Sequence, residues 1–115
     1  MAIGGTADSG TPYDWGSELS YDHVASEQKA LVGFVGAEHM FMSTPCEDMP
    51  WTINFPYAEG MCFDPVWDKQ RGLDLIHHFS TAFLLDTLKG DQAAHNALLP
   101  DAVQFPGIEY SATMQ

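Results

Sequence analysis

Two short segments of the chain each end an apolar run on a residue that can do acid or base chemistry. The first is Gly4-Gly5-Thr6-Ala7-Asp8 and the second is Val35-Gly36-Ala37-Glu38-His39. An aspartate can accept the Nδ1 proton of an imidazole, which selects one tautomer and stabilises the protonated ring. The histidine can then act as general base toward a nucleophile and as general acid toward a leaving group. The pair predicts Asp8 as the orienting acid and His39 as the base of a hydrolytic site.

Each of these two residues also has a simpler structural interpretation. An aspartate after Gly-Gly-Thr is typical of a turn in which the carboxylate hydrogen-bonds to its own backbone. A histidine at the end of an apolar run can merely close a strand. Taken together, in the order Asp then His across one strand-helix-strand unit, they are a stronger signal than either alone. We expect Asp8 to lie within hydrogen-bonding reach of Nδ1 of His39.

The first half of the chain predicts the elements that would position this pair. Residues 1–5 are short and apolar and predict a buried strand that runs into a loop. A helix is predicted from residue 16 or 17 to about residue 28, with Ser17 as its N-cap. Residues 30–35 are almost continuously apolar, which is typical of a parallel strand covered on both faces.

The second half predicts a covering loop and two helices. Residues 40–64 are rich in proline and predict an irregular segment. Asp64 as N-cap and Pro65 as the first helical residue predict the start of a helix, and Gly90 predicts its end. A shorter helix is predicted over residues 91–99, followed by an irregular tail. The apolar stripe expected to cover the sheet consists of Leu73, Ile76, Phe79, Phe83 and Leu84, closed by Thr87 and Leu88.

The two cysteines, Cys46 and Cys62, fall in the proline-rich segment. A disulfide between them would close a loop of about 16 residues and stabilise the chain by roughly 3 kcal/mol. Such a bond favours a periplasmic or secreted location; the alternative is a pair of reduced thiols. A zinc site that adds His77, His78 or His95 is a poorer interpretation, because the chain has no C-x-x-C or H-x-x-x-H spacing. We therefore expect no metal and no cofactor.

Aromatic and methionine side chains crowd the same segment after His39. They could line an acyl or leaving-group pocket beside the base, since ligand sites are mostly apolar. They could equally form a minor core that packs the loop onto the sheet. The residues concerned are Phe41, Met42, Met49, Trp51, Phe55, Tyr57 and Phe63.

The amino-acid composition limits the kinds of molecule that the chain is expected to bind. The 115 residues are 45% apolar, which suffices for a hydrophobic core. Sixteen acidic residues against four basic ones give a formal charge of −12, so nucleic-acid binding is not expected. No apolar run approaches the roughly 18 residues of a membrane span.

Several motifs resemble the C-terminal part of dienelactone-hydrolase-like and platelet-activating-factor-acetylhydrolase-like α/β-hydrolases. The resemblance covers most of the chain. It implies a parallel α/β sheet, Asp8 as the acid, His39 as the base, and hydrolysis of a small ester or lipid-like substrate through an acyl-serine. The motifs are Gly4-Gly5-Thr6-Ala7-Asp8-Ser9-Gly10-Thr11-Pro12, Lys29-Ala30-Leu31-Val32 running to Gly36-Ala37-Glu38-His39-Met40, His78-Phe79-Ser80-Thr81-Ala82-Phe83-Leu84, and Leu88-Lys89-Gly90-Asp91.

One part of that pattern is missing from these 115 residues. The family's G-x-S-x-G nucleophile segment does not occur, because none of the seven serines lies between the required glycines. We therefore expect residues 1–115 to be the C-terminal portion of one α/β-hydrolase domain, with strand-helix-strand-helix order, incomplete and inactive alone. The open edge of its first strand would pair with an N-terminal fragment or a second copy. The alternative is a non-catalytic oligomerising or interaction module derived from that fold.

Overall fold

Three strands form one mixed sheet, with helices packed against it. The computed structural model describes residues 1–43, 48–54 and 63–114. Strand β1 (Ala2–Gly5) pairs in parallel with β2 (Lys29–Phe34), and β3 (Ile108–Thr113) pairs antiparallel with the other side of β2. Every residue of β2 after Lys29 is buried, which confirms the expectation of a strand covered on both faces.

Strand β3 corrects the expectation of an irregular tail and of an all-parallel sheet. Its side chains alternate between half-buried and exposed, with Ile108 and Tyr110 packed against the core and Glu109 exposed. Alternation of this kind is the ordinary signature of a strand with one wet face. The strand forms because the second edge of β2 needs a hydrogen-bonding partner, and the chain end supplies it.

The connection from β1 to β2 is shorter and less regular than the helix expected over residues 16–28. It consists of a π-helical turn (Asp14–Glu18) followed by α1 (Leu19–His23), and at Val24 the backbone is already extended. The predicted N-cap was wrong. The Ser17 hydroxyl instead donates to the carbonyl of Ile3 at 3.1 Å, and so ties this turn to β1.

The long helix α2 (Lys69–Lys89) begins later than expected. Its N-cap is Asp68, whose carboxylate accepts from the Arg71 N–H at 2.8 Å, so the prediction of Asp64 as N-cap was wrong. Gly90 ends the helix in the left-handed region with φ of 65°, as predicted.

The buried face of α2 is rotated from the predicted stripe. It is centred on Phe79, whose ring stacks on Tyr110 of β3 with centroids 5.6 Å apart. At about 100° per residue, Leu84 and Leu88 lie about 140° and 180° away from Phe79 around the helix, and both are exposed. The buried positions of α2 are Gly72, Leu75, Phe79, Ala82 and Asp86.

A short helix, α3 (Gln92–Ala97), follows directly and agrees with the expected helix over residues 91–99. Its N-cap Asp91 accepts from the Ala94 N–H at 2.9 Å. Its His95 places Nδ1 3.3 Å from the buried carboxylate of Asp86, which links the two helices. Among the helices described, none has the length and apolar character needed to cross a membrane.

Both outer edges of the sheet are unpaired in the described ranges. Strand β2 lies between β1 and β3, and each of these two outer strands is hydrogen-bonded only to β2. On α2, Ile76 and Phe83 are partly buried against the core, whereas Leu84 and Leu88 are exposed.

Candidate functional site

The loops that follow β1 and β2 are joined residue by residue at the carboxyl ends of these parallel strands. The Gly36 N–H donates to Oγ1 of Thr6 at 2.9 Å, and the Ala7 N–H donates to the Ala37 carbonyl at 3.1 Å. A Cβ on Gly5 would lie only 2.3 Å from that same carbonyl oxygen. Glycine at position 5 therefore lets the two loops approach closely enough for the side chains beyond them to meet.

Asp8 and His39 meet at this junction, as predicted. Nδ1 of His39 lies 2.9 Å from each carboxylate oxygen of Asp8. The Asp8 side chain is 8% exposed, whereas that of His39 is 50% exposed. The carboxylate is therefore shielded while the imidazole faces outward, and both residues lie in the loops that follow adjacent parallel strands.

The carboxylate of Asp8 also organises its own loop. Its Oδ1 accepts from the N–H groups of Gly10 at 2.8 Å and Thr11 at 2.7 Å. The turn interpretation of Asp8 and the acid interpretation therefore both describe contacts that this side chain makes. Burial acts to raise the pKa of Asp8, but the Thr11, His39 and Gly10 hydrogen bonds outweigh it and hold the pKa below its usual value.

His39 is held by a short helix and by a glycine. It begins a 3-10 helix (His39–Met42) whose Phe41 is buried, with ring centroids 4.7 Å from Phe34 of β2. The imidazole lies against Gly10, where a Cβ would come within 2.9 Å of the His39 Cγ. A larger residue at position 10 would displace the ring, so this glycine is part of the site geometry.

The pairing determines which ring nitrogen of His39 is available for chemistry. An ionised carboxylate can only accept hydrogen bonds, so Nδ1 carries the proton that lies between His39 and Asp8. Nε2 of the neutral ring then has a free lone pair. Such an imidazole can take a proton from a hydroxyl placed beside it and return it to a leaving group.

Two further acidic residues join the site, and the sequence analysis did not identify them. Oε2 of Glu38 accepts from the hydroxyl of Ser9 at 2.9 Å and from its N–H at 3.2 Å. The sequence signal for Glu38 was its position beside His39, which does not reveal its partner.

Asp64 connects Glu38 to the start of the next segment. The Glu38 N–H donates to Oδ2 of Asp64 at 2.8 Å. Oδ1 of Asp64 accepts from the N–H groups of Val66 at 2.9 Å and Trp67 at 2.7 Å.

The cysteines and the aromatic side chains after His39 were the other residues that the sequence analysis singled out. Cys46 and Cys62, with the disulfide and zinc interpretations that depend on them, lie outside the described residues, as do Phe55 and Tyr57. Phe41 belongs to the core, whereas Trp51 and Phe63 are exposed. Within the described ranges, no three His, Cys, Asp or Glu side chains are grouped so that they could hold a metal ion.

Comparisons with known proteins identify no relative of this chain. No protein-family model matches it, and neither the curated proteins nor the solved structures contain a match. The interpretation of the site therefore depends on its geometry and on the residues that form it.

Proposed function

We propose that this chain supplies the acid and the base of a Ser-His-Asp ester hydrolase. Asp8 orients His39, and His39 activates a serine contributed by another polypeptide segment. The single observation that carries the proposal is the approach of Nδ1 of His39 to both oxygens of Asp8 at 2.9 Å. The resemblance to dienelactone-hydrolase-like esterases supports a small ester or lipid-like ester as the substrate.

The reaction would follow the usual two steps of acyl transfer. Nε2 of His39 takes the serine proton as the serine oxygen attacks the ester carbonyl, and then returns it to the departing alkoxide. Water repeats the sequence on the acyl-serine and releases the acid. Asp8 stabilises the imidazolium that exists between the two proton transfers. The half-exposed position of His39 leaves room for a serine and an ester to approach.

The test is a labelling experiment on the purified 115-residue chain. We expect no turnover of a chromogenic short-chain ester above background and no labelling by a serine-directed phosphonate, because the base has no nucleophile to activate. Addition of a polypeptide from the same source that carries a G-x-S-x-G segment should produce phosphonate labelling of that serine. The labelling should be lost in His39→Ala. Labelling of one of the chain's own serines, or labelling of the added serine that is unaffected by His39→Ala, would contradict the proposal.

A second candidate function is an interaction module without catalysis. The observations that favour it are the open edge of β1 and the exposed apolar side chains of Leu84 and Leu88 on α2. Unpaired strand edges are ready templates for pairing with another chain.

Sedimentation over a range of concentrations tests this second function. Self-association that is abolished by Leu84→Lys and unaffected by His39→Ala would support the interaction module. The matched control is His77→Lys, an exposed position on the same helix. A stable monomer at all concentrations would contradict the self-associating form of this function.

A further inference from the structure

We propose that Glu38 is a positioning residue, which holds the loop of Asp8 against the segment of His39 through its hydrogen bonds to Ser9. This inference rests on the proposed function of Asp8 and His39, and it adds a residue that neither the turn chemistry nor the acid-base pattern identifies. Glu38 does not touch the reacting atoms in this proposal. Its effect is exerted on the geometry of the neighbouring ring.

Two side-chain hydrogen bonds connect the two loops at neighbouring positions. Asp8 and Ser9 are adjacent on one loop, and Glu38 and His39 are adjacent on the other. Asp8 pairs with His39 while Ser9 pairs with Glu38, so the two loops are clamped at two consecutive positions. These two side-chain contacts continue the hydrogen bonds that join the loops at Thr6 and Ala7, and so extend the connection out to the imidazole.

The second step is the character of the Ser9 contact. A single oxygen of Glu38 accepts both the hydroxyl at 2.9 Å and the N–H at 3.2 Å of the same residue. Hydrogen bonds to an ionised acceptor are stronger than those between neutral groups. The N–H bond also restrains the backbone of Ser9, which lies between Asp8 and Gly10. Both of those neighbours contact the imidazole of His39.

The third step is the support of Glu38 itself. Its N–H donates to Asp64 at 2.8 Å, and the other oxygen of Asp64 closes a turn with Trp67. The Trp67 indole N–H donates in turn to the Val35 carbonyl at 2.9 Å, at the end of β2. The backbone of Glu38 is therefore fixed to β2 through Asp64 and Trp67. Its carboxylate can restrain Ser9 because its own position is restrained.

The experiment uses the full chain with ¹⁵N-labelled histidine and reads the imidazole nitrogen shifts of His39 by NMR. In the native chain we expect the tautomer with the proton on Nδ1. In Glu38→Ala, the ratio of this tautomer to the Nε2–H form should fall roughly threefold to tenfold, the equivalent of one lost hydrogen bond. Glu38→Gln should restore most of the ratio, because its amide oxygen can accept from both donors of Ser9.

Two controls separate positioning from a general loss of structure. Glu27→Ala removes an exposed carboxylate on the segment before β2 and should leave the His39 signals unchanged. Ser9→Ala removes only the hydroxyl donor, so it should give an intermediate tautomer ratio even if Glu38→Ala folds poorly. In uniformly ¹⁵N-labelled samples of the same chains, amide signals of core residues such as Phe34 and Phe79 should keep their positions in every variant.

The outcomes distinguish this inference from the proposed function. A His39 tautomer ratio that is unchanged in both Glu38→Ala and Ser9→Ala would overturn the positioning role, whatever the activity. Changes in chemical shift that are spread evenly through the core residues would also overturn the positioning role. If the ratio responds as expected but no phosphonate labelling depends on His39, the positioning role stands and the hydrolase proposal fails.

Discussion

The carboxylate of Asp8 receives Nδ1 of His39 on both of its oxygens, at 2.9 Å each, although the two residues lie 31 positions apart. The same carboxylate closes its own turn through the N–H groups of Gly10 and Thr11. One carboxylate therefore both closes a turn and pairs with a histidine. The two N–H groups fix the direction of the carboxylate from its own loop, so its position does not depend on the histidine contact alone.

In a hydrolase completed by its nucleophile, substitutions at His39 and at Asp8 should reduce catalysis in different ways. His39→Ala should abolish acylation of the serine, because no base remains. Asp8→Asn should preserve ester binding and lower turnover by up to roughly 10⁴-fold, because the wrong tautomer is favoured. Single-turnover release of a chromogenic leaving group measures both effects. The matched control is Asp101→Asn, in an exposed turn distant in sequence from the pair. Equal losses in Asp101→Asn and Asp8→Asn would contradict the assignment.

Asp8 should make stability depend on pH in the acid range. Its pKa is lowered in the fold from an ordinary value of 3.8, because the hydrogen bonds from Thr11, His39 and Gly10 outweigh the effect of burial. A depressed pKa contributes stability that is present above the unfolded value and is lost as pH falls through the folded one. The free energy of unfolding of the native chain should therefore approach that of Asp8→Asn as the pH falls through 3.8 and below it.

Urea denaturation at several pH values measures this convergence, again with Asp101→Asn as the control. A constant difference between the native chain and Asp8→Asn across the acid range would mean that the Asp8 carboxylate is not stabilised in the fold. A difference that widened on acidification would have the wrong sign and would contradict the hydrogen bonding described here.

Alanine substitutions at two glycines should have opposite effects on stability. At Gly5, a Cβ would lie 2.3 Å from the Ala37 carbonyl oxygen, so Gly5→Ala should lower the free energy of unfolding by about 1–3 kcal/mol. At Gly72, inside α2, the nearest atom would be Cδ2 of Phe41 at an ordinary 3.4 Å. Gly72→Ala should raise stability by about 0.5–1 kcal/mol, because glycine loses more entropy in a helix.

Thermal and chemical denaturation of both glycine variants checks this pair of expectations. Gly5→Ala should also broaden the Asp8 and His39 signals in NMR spectra, since the loops that carry them would be forced apart. A Gly5→Ala variant with native stability and native His39 signals would show that the close approach of the two loops is not required.

The pair formed by buried Asp86 and partly buried His95, at the junction of α2 and α3, should contribute to stability rather than to chemistry. The side chain of Asp86 is 6% exposed and lies 3.3 Å from Nδ1 of His95. His95→Ala would leave a buried carboxylate without this partner and should cost roughly 1–3 kcal/mol. His77→Ala, at an exposed position of α2, should change stability by no more than about 0.5 kcal/mol. Equal effects in the two variants, measured by urea denaturation, would show that the Asp86 contact contributes nothing.

The sequence alone determined the local features that depend on neighbouring residues. The apolar run at residues 30–35 predicted a buried strand, which the structure places at Lys29–Phe34, and Gly90 predicted the end of the long helix. Asp8 and His39 could be paired because each follows a parallel strand, and the carboxyl ends of such strands meet at one edge of a sheet.

Only the tertiary structure decided the features that depend on distant partners. Strand β3 forms because β2 needs a neighbour, and nothing near residue 108 specifies which edge it joins. The face of α2 that is buried is set by what it packs against, so Phe79 is buried while Leu88 is exposed. The contact of Glu38 with Ser9 exists because the backbones of residues 5 and 37 touch. A side chain's partner across a fold is a property of the assembled backbone, whereas the glycine that ends α2 and the buried run of β2 follow from the local sequence.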